Sequence, residues 1–326
     1  MEGRGERGFF AYGAVRHRFV RWCGEGDVRD EGGALGDGGC GEGDREEEHA
    51  GVPLVLVHGF AQSAASWEGV ASQLASGRAV YAFELVGHGG SDCPDDEAAY
   101  ELSAQAEALL AFLDYVAKRE AFACGAGSGG ETRPVVVGYS LGGRVALTAA
   151  CRDAQAFAQR VSDLVLESAG LGPATSDERA AAAERDATNA ERLRDQGLEA
   201  FMDAWERLPL FATQRALPPE VRERVRAGRL ANNAEALALT FLHAGQHVMP
   251  ARDEVLSTLK QLADQDVPVL YLAGSLDEKY RLLAESLEAQ NLCTITLITP
   301  AGHNIHLEAP AQFCETIHAF TAAASR

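Results

Sequence analysis

The sequence predicts an α/β protein: a mostly parallel sheet with helices on both faces, interrupted by one inserted helical cap. Three observations predict it. Short apolar runs alternate with helical stretches, as the crossovers between parallel strands require. Residues 174–262 contain no convincing strand and are rich in Ala, Arg, Glu and Leu. At residues 134–147 a three-valine strand must turn abruptly into a helix across Gly138-x-Ser140-x-Gly142.

In chain order, residues 9–22 (FFAYGAVRHRFVRW) are aromatic and β-branched, which suits edge strands. Residues 24–50 are dominated by Gly, Asp and Glu. Such a stretch buries too little apolar surface to offset its ordering entropy, so a mobile insertion is expected there. Residues 52–57 form the next buried strand, ending in His58-Gly59-Phe60, and 79–84 another, followed by Gly87-His88-Gly89-Gly90-Ser91. A helix is expected over 98–118, then a second Gly-rich spacer at 124–130. After the strand that leads to Ser140 comes a further strand at 161–167. Pro209, Pro218, Pro219 and Pro250 punctuate the helical insertion. Strands resume at 268–274 and 294–299, and a helix closes the chain over 310–323. The expected organisation is core (1–170), cap (171–262) and core again (263–326), a natural division for 326 residues.

Composition narrows the function. A hydrophobic fraction of 46% suits a large buried core, and no run of eighteen apolar residues suggests a membrane span. Residues 1–8 lack an apolar signal core, and Glu2 and Glu6 argue against a transit peptide. A formal charge of −19 disfavours nucleic acid and anionic membrane as partners. Seven cysteines, odd in number and without CxxC spacing, point to reduced thiols in an intracellular compartment rather than disulfides or a zinc site.

The candidate chemistry centres on Ser140. Glycines on both sides of a sharp strand-to-helix turn lift the serine hydroxyl clear of the sheet, and the Leu141 amide at the helix start can face an oxyanion. A serine nucleophile needs a histidine to take its proton and an acid to orient that histidine. Asp277 follows the 268–274 strand and His303 follows the 294–299 strand, both where parallel strands place functional loops. Glu278 and His306 are near rivals. Asp277 is favoured by its distance past Gly274, and His303 by Gly302, which lets the loop turn tightly. A second oxyanion donor is expected from the Phe60 amide, with His58 and His88 as loop braces. No metal or cofactor is expected.

On these residues the chain resembles the α/β-hydrolase superfamily over nearly its whole length. Within it, the resemblance is to the 2-succinyl-6-hydroxy-2,4-cyclohexadiene-1-carboxylate synthases of menaquinone and phylloquinone biosynthesis. It is carried by His58-Gly59-Phe60, Ser66-Trp67, Gly87 to Ser91 and Gly138-Tyr139-Ser140-Leu141-Gly142-Gly143-Arg144. Cap positions Glu178-Arg179, Trp205, Pro209, Phe211, Arg229 and Asn232-Asn233 match too, as do Leu276 to Tyr280 and Gly302-His303-Asn304-x-His306. The chain departs where the family usually has Asp and Pro before Gly-His-Gly: here stand Glu84-Leu85-Val86. Its Gly-rich insertions suggest an algal or plant-type version more than a compact bacterial one; the expected compartment is the cytoplasm, or the plastid if the source is an alga or plant.

The resemblance implies a cofactor-free lyase acting on a small tricarboxylate, with Ser140 as base. A chain at −19 can hold a trianion only with local guanidinium groups. Arg144, one helical turn past Ser140, and Arg179 and Arg229 from the cap are the candidates. The rival reading is a solvated helix-face charge. Tyr139 would offer its hydroxyl to a carboxylate, and Trp205 is either an apolar pocket wall or cap core. The alternatives are a serine hydrolase on the same scaffold, cleaving an ester or a C–C bond, and a ligand-gated binding module.

Overall fold

The computed structural model describes residues 5–23, 51–123 and 132–324. The expected insertions at 24–50 and 124–130 lie outside the described residues. Eight strands among the described residues form one sheet: β1 (Glu6–Tyr12), β2 (Val15–Trp22), β3 (Gly51–Val57), β4 (Arg78–Phe83), β5 (Val135–Tyr139), β6 (Leu164–Glu167), β7 (Val269–Gly274) and β8 (Thr294–Ile298). Their order is β1-β2-β4-β3-β5-β6-β7-β8. The first two pairings, β1 with β2 and β2 with β4, are antiparallel. Every pairing from β4 through β8 is parallel.

The core helices are α1 (Glu68–Leu74), α2 (Leu102–Ala123), α3 (Leu141–Arg152) and α4 (Ala154–Ala158). The cap follows with α5 (Ser176–Trp205), α6 (Pro219–Leu230) and α7 (Ala234–Ala244). The chain then returns through α8 (Arg252–Ala263), α9 (Glu278–Ala289), α10 (Ile305–Glu308) and α11 (Pro310–Ala324). Two apolar layers cover the sheet. One joins Val55, Val57 and Tyr271 to Phe112, Val145 and Leu259, and the other joins Leu54, Leu56 and Val137 to Trp67, Phe313 and Ile317. Because side chains alternate along a strand, β3 feeds both layers from successive residues. Among the described residues, no helix is long and apolar enough to cross a membrane.

Two expectations need correction. Residues 9–22 were to be edge strands, yet only β1 is an edge; β2 is enclosed between β1 and β4, with Phe19 and Trp22 buried. The cap was to run to residue 262, but α8 belongs to the core. Its Val255, Leu259 and Leu262 are fully buried in the main cluster, against α3 and β7. Helical periodicity identifies a helix but not the surface it packs on. Within α5, the chain breaks at Gly197 (φ 80°), so the cap's long helix is two stretches. Their apolar residues, Leu193, Phe201 and Met202, close with Leu237 and Phe241 of α7 over Phe60 and Ala61 of the core.

Candidate active site

The turn between β5 and α3 is strained as its sequence foretells. Ser140 has φ 50°, a left-handed value that a non-glycine residue rarely adopts. The turn also presses against the strand beside it: a Cβ on Gly142 would lie 2.1 Å from the Val57 carbonyl oxygen. Only glycine fits there. Ser140 is therefore held at the carboxyl end of the sheet, with its N–H donating to the Glu167 carbonyl at 2.9 Å.

Ser140, His303 and Asp277 converge. His303 Nε2 lies 3.2 Å from Ser140 Oγ, and His303 Nδ1 lies 2.7 Å from Asp277 Oδ2. Asp277 also caps α9, its Oδ1 accepting from the Tyr280 N–H at 3.4 Å. Capping and orienting are thus not rival roles, since each oxygen serves one of them. His303 and Asp277 are both buried, and the rings of Tyr139, Tyr280 and Phe211 surround the imidazole at centroid distances of 5.4, 4.8 and 6.2 Å. With Asp277 ionised, Nδ1 carries the proton and Nε2 faces the serine as an acceptor.

Two backbone amides fit an oxyanion. Leu141 is the first residue of α3, where an N–H has no partner inside the helix. Among the described residues, neither the Leu141 nor the Phe60 amide donates to an acceptor. The Phe60 loop rests on Tyr139, and a Cβ on Gly59 would lie 2.5 Å from Tyr139 Cε1. His58 braces this loop: its Nδ1 pairs with the Gly59 carbonyl at 2.8 Å and its Nε2 accepts from the Leu85 N–H at 3.1 Å. Burial holds the His58 imidazole down to about 4 and that of neighbouring His88 to about 3, so both are neutral struts.

Glu84, at the departure from the family pattern, is wholly buried. Its carboxylate accepts from the Ala64 N–H at 3.0 Å and the Gly90 N–H at 2.7 Å, and from Arg18 of β2 at 2.6 and 2.8 Å. Asn232 in the cap adds a second tie. Its Nδ2 donates to the Ala61 carbonyl and its Oδ1 accepts from the Gly89 N–H, both at 3.2 Å.

The expected carboxylate-binding arginines divide into two groups. Arg229 reaches the neighbourhood of His303: its guanidinium sits 5.1 Å above the Phe211 ring, but donates to Glu206 at 3.0 Å and Gln214 at 3.1 Å. It lines a cap cavity of about 320 Å³ and a smaller one of about 180 Å³ shared with Asn304 and His306. Arg144 and Arg179 instead converge on the C-terminal end of α7 and the segment that leads from it to α8. Arg144 donates to the Ala244 carbonyl at 3.1 Å, and Arg179 to those of Met249, at 3.0 Å, and His247. Neither forms an ion pair among the described residues, and burial pushes the Arg144 guanidinium below its usual range. Trp205 joins an aromatic wall with Phe60, Phe201, Phe211 and Phe241, at centroid distances of 5.2 to 5.8 Å. Tyr139 is buried beneath the Gly59 loop. Burial, with Glu167 nearby, raises its phenol well above the usual value, so it remains a donor.

Sequence reasoning missed the Glu167–His306 pair. His306 Nδ1 lies 2.7 Å from Glu167 Oε2, and both side chains are fully buried. A carboxylate ending the apolar strand LVLE was the available signal.

The alpha/beta hydrolase family matches residues 54–316, and the chain belongs to that family. It is an enzyme on that scaffold. It is 33% identical to a 2-succinyl-6-hydroxy-2,4-cyclohexadiene-1-carboxylate synthase of Salmonella paratyphi A, over 82% of this chain and 93% of the relative. A Bacillus subtilis protein provisionally named for the same synthase is 31% identical over 84% of this chain and 92% of its own length. Among solved structures, MenH from S. aureus superposes with a TM-score of 0.73, at 24% identity, over 94% of this chain and 99% of that one.

Proposed function

We propose that the enzyme is a carbon–oxygen lyase that eliminates pyruvate from 2-succinyl-5-enolpyruvyl-6-hydroxy-3-cyclohexene-1-carboxylate, giving 2-succinyl-6-hydroxy-2,4-cyclohexadiene-1-carboxylate. The names of its relatives support the reaction. The observation that carries it here is that Arg144, one helical turn past Ser140, and Arg179 of the cap donate to backbone carbonyls and form no ion pair among the described residues. In a chain of charge −19, a partly buried arginine with no carboxylate in salt-bridge contact fits an anionic ligand. An ester hydrolase has no need of one.

Ser140 Oγ removes the ring proton next to the succinyl ketone as its own proton passes to His303 Nε2, with Asp277 stabilising the imidazolium. The enolate that develops on the ketone accepts hydrogen bonds from the Phe60 and Leu141 amides. Its electron pair forms a double bond from C2 to C3, the C3–C4 pair shifts to C4–C5, and the C5–O bond breaks. The enolpyruvate that leaves becomes pyruvate as the proton held on His303 returns. Protons balance, and no cofactor enters. Arg144 and Arg179 hold substrate carboxylates, Arg229 stays on Glu206 and Gln214 above the Phe211 ring, and the Trp205 wall excludes water.

The test is pyruvate release from substrate generated in situ. Wild type should release pyruvate together with the ultraviolet-absorbing diene, and Ser140→Ala should fold but release none above background. A folded Ser140→Ala enzyme with near-normal turnover would sink the mechanism. Wild type that cleaves simple esters and releases no pyruvate would return it to the serine hydrolases.

A further inference from the structure

We infer that Glu167 is a positioning residue that sets the separation of Ser140 and His303, acting in part through His306. Its backbone carbonyl accepts from the Ser140 N–H at 2.9 Å. Its carboxylate holds the turn just beyond His303: Oε1 accepts from the Ile305 N–H at 2.6 Å and the His306 N–H at 3.0 Å, and Oε2 pairs with His306 Nδ1 at 2.7 Å. One residue therefore grips both sides of the proton transfer, the serine through its main chain and the turn that follows His303 through its side chain.

The His306 ring converts this grip into a fixed geometry. It stacks on Trp67 at 3.9 Å between centroids and meets Tyr139 and Phe313 edge-on at 5.0 and 5.8 Å. Tyr139 precedes Ser140, so the same imidazole that binds Glu167 also packs against the residue entering the elbow. The other side of the His303 turn is held by Glu308, which accepts from the Gly302 N–H at 2.7 Å and the Asn304 N–H at 3.4 Å. Glu308 fixes only the turn. Glu167 fixes the turn relative to the serine.

A 3.2 Å contact between Ser140 Oγ and His303 Nε2 leaves little room for drift before proton transfer fails. A displacement near 1 Å costs on the order of 100-fold in rate. In Glu167→Gln the amide oxygen can still accept the two backbone N–H groups, while its NH₂ faces His306 Nδ1 and forces the other imidazole tautomer. His306→Phe keeps the ring stack and removes the side-chain bond.

The inference rests on the Ser140–His303 pairing and not on the identity of the substrate, so it is read by the rate at which a fluorophosphonate traps Ser140. Glu167→Gln and His306→Phe should each slow trapping about 10-fold or more, with kcat falling in parallel and KM little changed. Glu120→Gln disturbs another buried carboxylate, bonded to Tyr81 and Arg21 away from the site. It should lower the thermal midpoint comparably and leave trapping at the wild-type rate. Folded Glu167→Gln and His306→Phe enzymes trapped at the wild-type rate would overturn the inference, as would Glu120→Gln slowing trapping equally. Should Glu167→Gln not fold, His306→Phe decides alone. A wild type that resists trapping would remove the pairing itself, whereas prompt trapping without pyruvate release would overturn only the proposed substrate.

Discussion

Substituting Gly59 by alanine tests whether the loop after β3 supplies an oxyanion donor. The added Cβ would lie 2.5 Å from Tyr139 Cε1 and 2.7 Å from Cδ1. Carbon atoms in contact sit near 3.5–4.0 Å, so the loop and the ring must separate by about 1 Å. The ring has nowhere to go: Tyr139 is only 3% exposed and is packed against both His303 and His306. The loop yields instead, and the Phe60 amide moves with it. A hydrogen bond of about 2.9 Å lengthened by about 1 Å is lost. Losing one such donor costs about 100- to 1,000-fold in kcat, or roughly 3–4 kcal/mol of transition-state stabilisation. Overpacking should cost about 1–3 kcal/mol of stability besides. The assay is pyruvate release with kcat and KM separated, alongside thermal unfolding. Gly69→Ala is the control, since a Cβ there would meet nothing within 4 Å beyond its chain neighbours and its own helix backbone. A folded Gly59→Ala enzyme with kcat within about threefold of wild type would refute the reasoning.

Two further predictions follow from charge. Arg144→Ala should raise KM about 10-fold or more while kcat falls less, because a carboxylate contact made in ground and transition states alike is removed; an unchanged KM would take Arg144 out of the binding set. Stability should fall as pH drops below about 6.5. Above that pH His58 and His88 are neutral whether folded or not, and contribute no slope. Below it the unfolded chain takes up protons that the folded chain refuses until pH nears about 4 for His58 and about 3 for His88. Each histidine then removes about 1.4 kcal/mol per pH unit. Denaturant unfolding between pH 7 and 5 reads this slope, and His88→Phe should reduce it by one proton's worth; a slope unaltered in that variant would count against the buried neutral imidazole.

Parallel strands were legible because burial on both faces writes them as unbroken apolar runs, as in residues 52–57 and 135–137. The elbow was legible because strand, serine between glycines, and helix are contiguous. Ser140, Asp277 and His303 could be ordered in advance, since each follows a strand in a fixed sequence along the chain. What stayed hidden depends on contacts between distant segments. Nothing local says that Glu206 neutralises Arg229, or that Arg179 reaches residues 68 and 70 positions away. The fate of α8 was hidden for the same reason: its pattern specifies an apolar face, and only the sheet beside it decides between cap and core. Glu167 and His306 lie 139 residues apart, and Glu167 alone reads as an ordinary polar residue at the end of an apolar run.

The hold of Arg144 and Arg179 on the segment between Ala244 and Met249 bears on selectivity. Each guanidinium donates from Nη1 to backbone carbonyl oxygens, so the main chain fixes its orientation and leaves its other N–H groups to meet an acceptor. A ketone or an amide offers them one more neutral acceptor, whereas a carboxylate offers a full charge and can bond two N–H groups of one guanidinium at once. If these two arginines bind the proposed substrate, uncharged analogues of similar shape should bind less tightly there, at guanidinium groups whose orientation the chain itself has already fixed.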